Sequence, residues 1–169
     1  MGSSELKMNP DLSMRNSVLA QRPYRDMGGG SHQSPRRYVD FVVDGRSLGQ
    51  EMKSAGYDLV SVFAAEWENS YLEEAKQRLL LQRDSDFPSE RRSLYVCGEC
   101  GDLGCGAVSI IVEFRDESVI WRNFGYENTW EEIVRTEKLQ DLGPFRFSLV
   151  GYREAIEGAV ELLNQNRED

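Results

Sequence analysis

At 169 residues the chain fits one ordinary domain, and with no run of 18 or more apolar residues nothing in it is expected to span a membrane. The net charge of −9 is unevenly spread, since residues 1–37 carry six Lys or Arg against three Asp or Glu and the remainder 14 against 26. A domain this acidic repels phosphate backbones, which argues against nucleic acid as a ligand of the folded part and favours a basic protein partner.

The first 30 residues hold Lys7, Arg15 and Arg22 but no continuous apolar stretch, so no secretory signal is expected. Three cysteines within nine residues do not make the disulfide framework of a secreted domain, and a reducing cytoplasmic setting is expected. From Met1 to about Pro35 there is neither a helical nor an alternating period, and Gly28, Gly29, Gly30 and Ser31 sit among Asn, Pro and Arg. The expectation is a disordered tail over 1–35 followed by a single domain over 36–169.

Order is expected from Tyr38, where Val39, Phe41, Val42 and Val43 form a β-prone run ending at the turn pair Asp44-Gly45. Ser47 with Gln50 is a capping-box pattern and Gly56 a stop, which predicts a helix over 48–55. Leu59, Val60, Val62 and Phe63 read as a second extended piece. Ser70 with Glu73 repeats the capping pattern, and Leu72, Ala75 and Leu79 recur at helical spacing, which predicts a helix over 70–82.

Leu94, Tyr95 and Val96 lead into the run CGECGDLGCG. Val108, Ile110, Val112 and Phe114 then alternate with Ser109, Ile111 and Glu113, and after a polar turn Val119 to Tyr126 resumes, which predicts a hairpin. Glu131 and Glu132 behind Thr129 predict a short helix over 130–136, broken by Gly143-Pro144. Phe145 and Phe147 mark a brief strand. Ser148 caps a last helix that carries Tyr152, Ala155, Ile156, Ala159, Leu162 and Leu163 on one face. This order lacks regular βαβ alternation. It predicts an α+β fold whose antiparallel or mixed sheet, with a central hairpin, is covered by two or three helices including the C-terminal amphipathic one.

Cys97, Cys100 and Cys105 are spaced C-x2-C-x4-C, and Gly101 behind the second cysteine lets backbone N–H groups turn toward sulfur as in a metal knuckle. Three thiolates can take up zinc, with the fourth position left to Asp102, Glu99 or water; the only histidine, His32, lies in the expected tail. Two alternatives stand beside zinc. The cysteines could be small buried residues packed around a glycine-rich turn, with no cofactor, or Cys97 and Cys100 could form a redox pair. An iron-sulfur cluster would want a fourth cysteine. Gly101 and Gly104 fall short of a dinucleotide-binding fingerprint.

The run LYVCGECGDLGCGAVSIIVEF, continued by VIWRNFGYEN and LGPFRFSLVGY, resembles a family of uncharacterised bacterial proteins that share an ECGDLGCG core, a W-x-x-F strand and a GPF-x-F segment. The resemblance covers roughly residues 38–163 and implies no established activity, although some members carry an oxidoreductase label.

Trp67, Trp121 and Trp130 are each either core residues or anchors for a partner. Glu127, Glu131 and Glu132 beside Trp130 form the candidate partner-binding group, while Arg36-Arg37 and Arg91-Arg92 read as edge protection. Two functions follow: a non-catalytic acidic protein-binding module, as in immunity proteins that neutralise a basic toxin domain, or a zinc-binding protein, structural or enzymatic, built on the cysteine turn. No complete catalytic set is present in the sequence.

Overall fold

The computed structural model describes residues 12–14 and 20–165. In chain order these form β1 (Leu12–Met14), β2 (Ala20–Arg22), β3 (Arg25–Gly28), β4 (Ser31–Gln33), β5 (Arg36–Tyr38), β6 (Phe41–Val43), β7 (Arg46–Ser47), α1 (Leu48–Ser54), β8 (Leu59–Ser61), α2 (Asn69–Leu79), β9 (Arg92–Cys97), β10 (Ala107–Arg115), β11 (Ser118–Glu127), β12 (Phe145–Ser148) and α3 (Leu149–Gln165). The main sheet is five-stranded and antiparallel throughout, in the order β12-β11-β10-β9-β8. With three helices, the C-terminal one included, this is an α+β fold. No helix among the described residues is long and apolar enough to cross a membrane.

The hairpin of β10 and β11 is the spine of the sheet, pairing Ala107 with Glu127 and Arg115 with Ser118. Its register shifts between Ser109 and Ile111, opposite Asn123, whose φ of 58° marks a bulge. The bulge turns Phe124 inward and leaves Arg122 and Asn123 exposed. α3 lies as its periodicity requires: Tyr152, Ile156, Ala159, Leu162 and Leu163 are buried. The Tyr152 hydroxyl donates to the Leu79 carbonyl at 2.6 Å and accepts from Trp121 Nε1 at 3.2 Å, which ties α3 to α2 and to β11.

α1 begins and ends on its local signals. Ser47 Oγ accepts the Gln50 N–H at 3.1 Å, and Gly56, at φ +92°, closes the helix with its own N–H to Lys53 and that of Tyr57 to Met52. The run expected as one strand from Tyr38 to Val43 is divided, because Asp40 turns into the core. There it accepts from the Tyr95 hydroxyl at 2.8 Å, the Ser47 hydroxyl and the Gly49 N–H, an anion set at the start of α1.

Three local expectations are corrected. α2 begins one residue before Ser70, with Glu68 at the cap position and no side-chain cap bond. Residues 130–136 form no helix. Asn128 Oδ1 takes the N–H groups of both Trp130 and Glu131, and Arg135 then pairs with Tyr126 through two backbone hydrogen bonds, so the segment runs beside the sheet edge. Arg91 is no edge guard: its guanidinium is buried on Ser109, the Asn123 carbonyl and Glu127.

Of the segment 1–35, for which the sequence predicts disorder, residues 1–11 and 15–19 lie outside the described residues. The rest differs from that expectation. β1 pairs with β6, β2 with β5, and β3 with β4 as a hairpin. Arg22 is buried against the cysteine loop, and Ser34 is bonded to Glu99, long-range contacts that no local pattern announces.

Candidate metal centre

Cys97 is the last residue of β9, and the chain returns to β10 at Ala107 through a loop closed by a 3-10 turn over Leu103–Cys105. Gly101 sits at φ +68° and donates to the Cys97 carbonyl at 2.8 Å, which reverses the chain behind the second cysteine. Asp102 caps the 3-10 turn by accepting the Gly104 N–H at 2.8 Å, and its own N–H points at Cys100 Sγ at 3.4 Å. The three Sγ atoms end within 4.8 Å of one another, with Cys100 and Cys105 only 3.3 Å apart. Cys97 is half-buried, whereas Cys100 and Cys105 are exposed.

Side chains from distant elements hold this loop by its carbonyls. Arg36 donates to Gly98 at 2.7 Å and Glu99 at 3.3 Å, Tyr71 to Gly101 at 2.9 Å, Trp130 Nε1 to Gly104 at 3.0 Å and Tyr126 to Cys105 at 3.1 Å. The loop so held carries the three sulfurs close together. Close packing adds to this: a Cβ on Gly106, at φ +103°, would fall 1.9 Å from the Tyr126 hydroxyl oxygen. Tyr126 is in turn stacked on Tyr57 at 4.8 Å. None of Arg22, Arg36, Tyr71 or Tyr126 stands out in the sequence as a site residue, because each lies twenty or more positions from the loop atom it braces.

The thiols do not titrate alike. Burial works to raise the Cys97 thiol, but the backbone N–H groups of Glu99 and Cys100, joined by the Cys100 and Cys105 side chains, outweigh it and lower its pKa. Hydrogen bonding to Cys100, with burial and the charge of its neighbours, pushes Cys105 up to about 12. The two thiols are thus shifted in opposite directions, Cys97 down and Cys105 up, within one interacting cluster. In a tetrahedral zinc-thiolate site with Zn–S near 2.3 Å, sulfurs lie about 3.8 Å apart. The Cys100–Cys105 separation of 3.3 Å is somewhat shorter than that value, and all three sulfurs lie within 4.8 Å of one another.

The residues weighed as a fourth ligand are wholly or partly engaged elsewhere. Glu99 gives one oxygen to Arg22 at 2.7 Å and to the Ser34 N–H, and the other to the Ser34 hydroxyl, so its carboxyl is held down at about 2. Asp102 caps Gly104. His32 stacks on Tyr24 in the β3–β4 hairpin. Among the described residues the grouping able to hold a metal is the three thiols alone.

The acidic group is divided. Glu127 is only 4% exposed; it pairs with Arg91 at 3.3 Å and accepts from Ser89 and Ser109, so it is a buried structural carboxylate and not a surface ligand for a partner. Its place at the end of β11, opposite Ala107, points it under the sheet. Glu131 pairs with Arg135 at 3.0 Å, and Glu132 is exposed. Trp121 is core, and Trp67 lies half-buried under Gly101, near the Arg36 guanidinium. Trp130 is 71% exposed and stands at the rim of the cysteine loop.

Fold and site together define an antiparallel α+β domain with an exposed three-thiol cluster at one hairpin end. No protein-family profile, curated protein or solved structure matches the chain.

Proposed function

We propose that this is a zinc-binding protein whose centre is Cys97, Cys100 and Cys105. The observation that carries this reading is the convergence of three Sγ atoms within 4.8 Å while two of the three thiols face solvent. Cysteines kept only for packing behave as small hydrophobes and are buried, and burial is what Cys100 and Cys105 lack. A dithiol redox pair needs two cysteines and leaves the third, together with the bracing of the loop carbonyls, without a purpose. Three protein ligands and one open position are the arrangement of a zinc site that takes an exogenous ligand. Metal analysis of protein purified without a metal-affinity column tests this. About one zinc per chain is expected, lost on replacing any one of the three cysteines by serine, and metal-free wild-type protein would refute it.

A second reading, an acidic module that binds a basic protein in the manner of immunity proteins, is favoured by Trp130. A large aromatic ring left 71% exposed beside Glu132 is a common form of interface anchor. Association through charge should slow as salt rises and the Debye length shrinks from about 10 Å at 0.1 M to about 3 Å at 1 M. An on-rate indifferent to salt would remove charge as the cause.

A further inference from the structure

We propose that Cys100 and Cys105 are a peroxide-sensitive pair that closes to a disulfide and expels the metal from the three-cysteine centre, leaving Cys97 as a thiol. This rests on the zinc reading and adds to it how the metal is released. The two sulfurs are 3.3 Å apart, closer than the roughly 3.8 Å at which one zinc would hold them. Both side chains are exposed, so a solvent oxidant reaches them. The bonds that brace the loop end on the carbonyls of Gly98, Glu99, Gly101, Gly104 and Cys105 and not on sulfur. The remaining approach to a disulfide bond, about 1.3 Å, is therefore left to the torsions of the two side chains.

Cys97 differs in access and in anchorage. It is half-buried, ends β9 opposite Leu59 of β8, and its carbonyl accepts the Gly101 N–H at 2.8 Å. With zinc bound all three sulfurs are thiolates, so access decides which of them meets the oxidant. An exposed thiolate of the pair attacks one oxygen of hydrogen peroxide; the S–O bond forms as the O–O bond breaks, and hydroxide leaves. The second thiolate then attacks the sulfenic sulfur, the S–S bond forms as the S–O bond breaks, and a second hydroxide leaves. Sulfur has given two electrons to peroxide, and both hydroxides take protons from solvent to become water. The zinc keeps Cys97 alone of its protein ligands and dissociates. A dithiol reductant returns the electrons and restores the site.

The test treats the full zinc-loaded chain with hydrogen peroxide and follows released zinc with a metallochromic dye and remaining thiols by titration. Free thiols are then alkylated and the chain is cleaved after Glu99 and Asp102, which puts the three cysteines on separate fragments for mass spectrometry. The expected result is about one zinc released as two of the three thiols disappear. A disulfide should join the fragments of Cys100 and Cys105, with Cys97 alkylated, and dithiothreitol with added zinc should restore the metal. Without metal, Cys97→Ser should form the same disulfide within about twofold of the wild-type rate, whereas Cys105→Ser should form one at least about tenfold more slowly. A disulfide that contains Cys97, or a Cys105→Ser variant that oxidises as fast as wild type, would overturn the pairing. Zinc released with the sulfurs taken to sulfinic acid and no disulfide formed would overturn the switch. So would a protein that keeps its zinc and all three thiols, and either result leaves the metal reading standing. Protein that carries no zinc before treatment would overturn the zinc reading and the metal-release step with it.

Discussion

Zinc should raise the thermal stability of the protein by an amount bounded by the geometry of the loop. A ligand that binds only the folded state adds about 4.1 kcal/mol at a thousandfold excess over its Kd. For a chain of this length that corresponds to a rise in Tm of roughly 8 to 16 °C. This is a ceiling, since all three cysteines lie within nine residues and the unfolded chain keeps a partial chelating sequence. What the unfolded chain lacks is the bracing by Arg36, Tyr71 and Tyr126 on Gly98, Gly101 and Cys105 that holds the loop in its folded shape, and the measured rise reports that difference. Thermal denaturation followed by circular dichroism, with zinc and with a chelator, gives the number. Cys97→Ser, Cys100→Ser and Cys105→Ser should each abolish most of the rise, while Cys100→Ser should cost the metal-free protein little because its side chain is exposed. A Tm that zinc does not move, or serine variants that respond as the wild type does, would refute the reasoning.

Three further outcomes follow from the packing and charge of the fold. Arg91→Met strands the Glu127 carboxylate beneath the sheet and should cost about 3 to 5 kcal/mol in denaturant unfolding; a loss below about 1 kcal/mol would mean that Glu127 reaches water. Ile156→Ala on the buried face of α3 should cost about 2 to 5 kcal/mol, and an unchanged midpoint would show that face to be solvated. The hydrogen bond from Arg22, then those from Ser34, hold Glu99 down from the ordinary 4.5 to about 2. A carboxyl depressed in the folded state stabilises fully above its unfolded pKa, so this contribution should be lost as pH falls from about 4.5 toward 2. The stability difference between wild type and Glu99→Gln should shrink over that window, and a difference constant with pH would remove the Arg22 clasp as its source.

Where an element is specified by neighbours a few positions apart, the sequence was sufficient. Ser47 and Gly56 bound α1, the apolar stripe from Tyr152 to Leu163 placed α3, and the alternation around Val108 and Ile110 with its return from Val119 marked the central hairpin. The spacing of Cys97, Cys100 and Cys105 likewise singled out the candidate centre, because three donors on a glycine-rich turn need no distant residue to be recognised. The tertiary structure decided what depends on partners far along the chain. It set the exposure of Cys100 and Cys105, the burial of Glu127 against Arg91, and the clasp of Arg22 and Ser34 on Glu99 across 77 and 65 positions. It also turned residues 130–136 away from a helix, since one side chain, Asn128, and one backbone pairing, Arg135 with Tyr126, outbid a weak local propensity. A local pattern records which face of an element is apolar. Which carboxylate is buried and which thiol meets water depends on the element that packs against it, and that is set by the antiparallel order of the sheet.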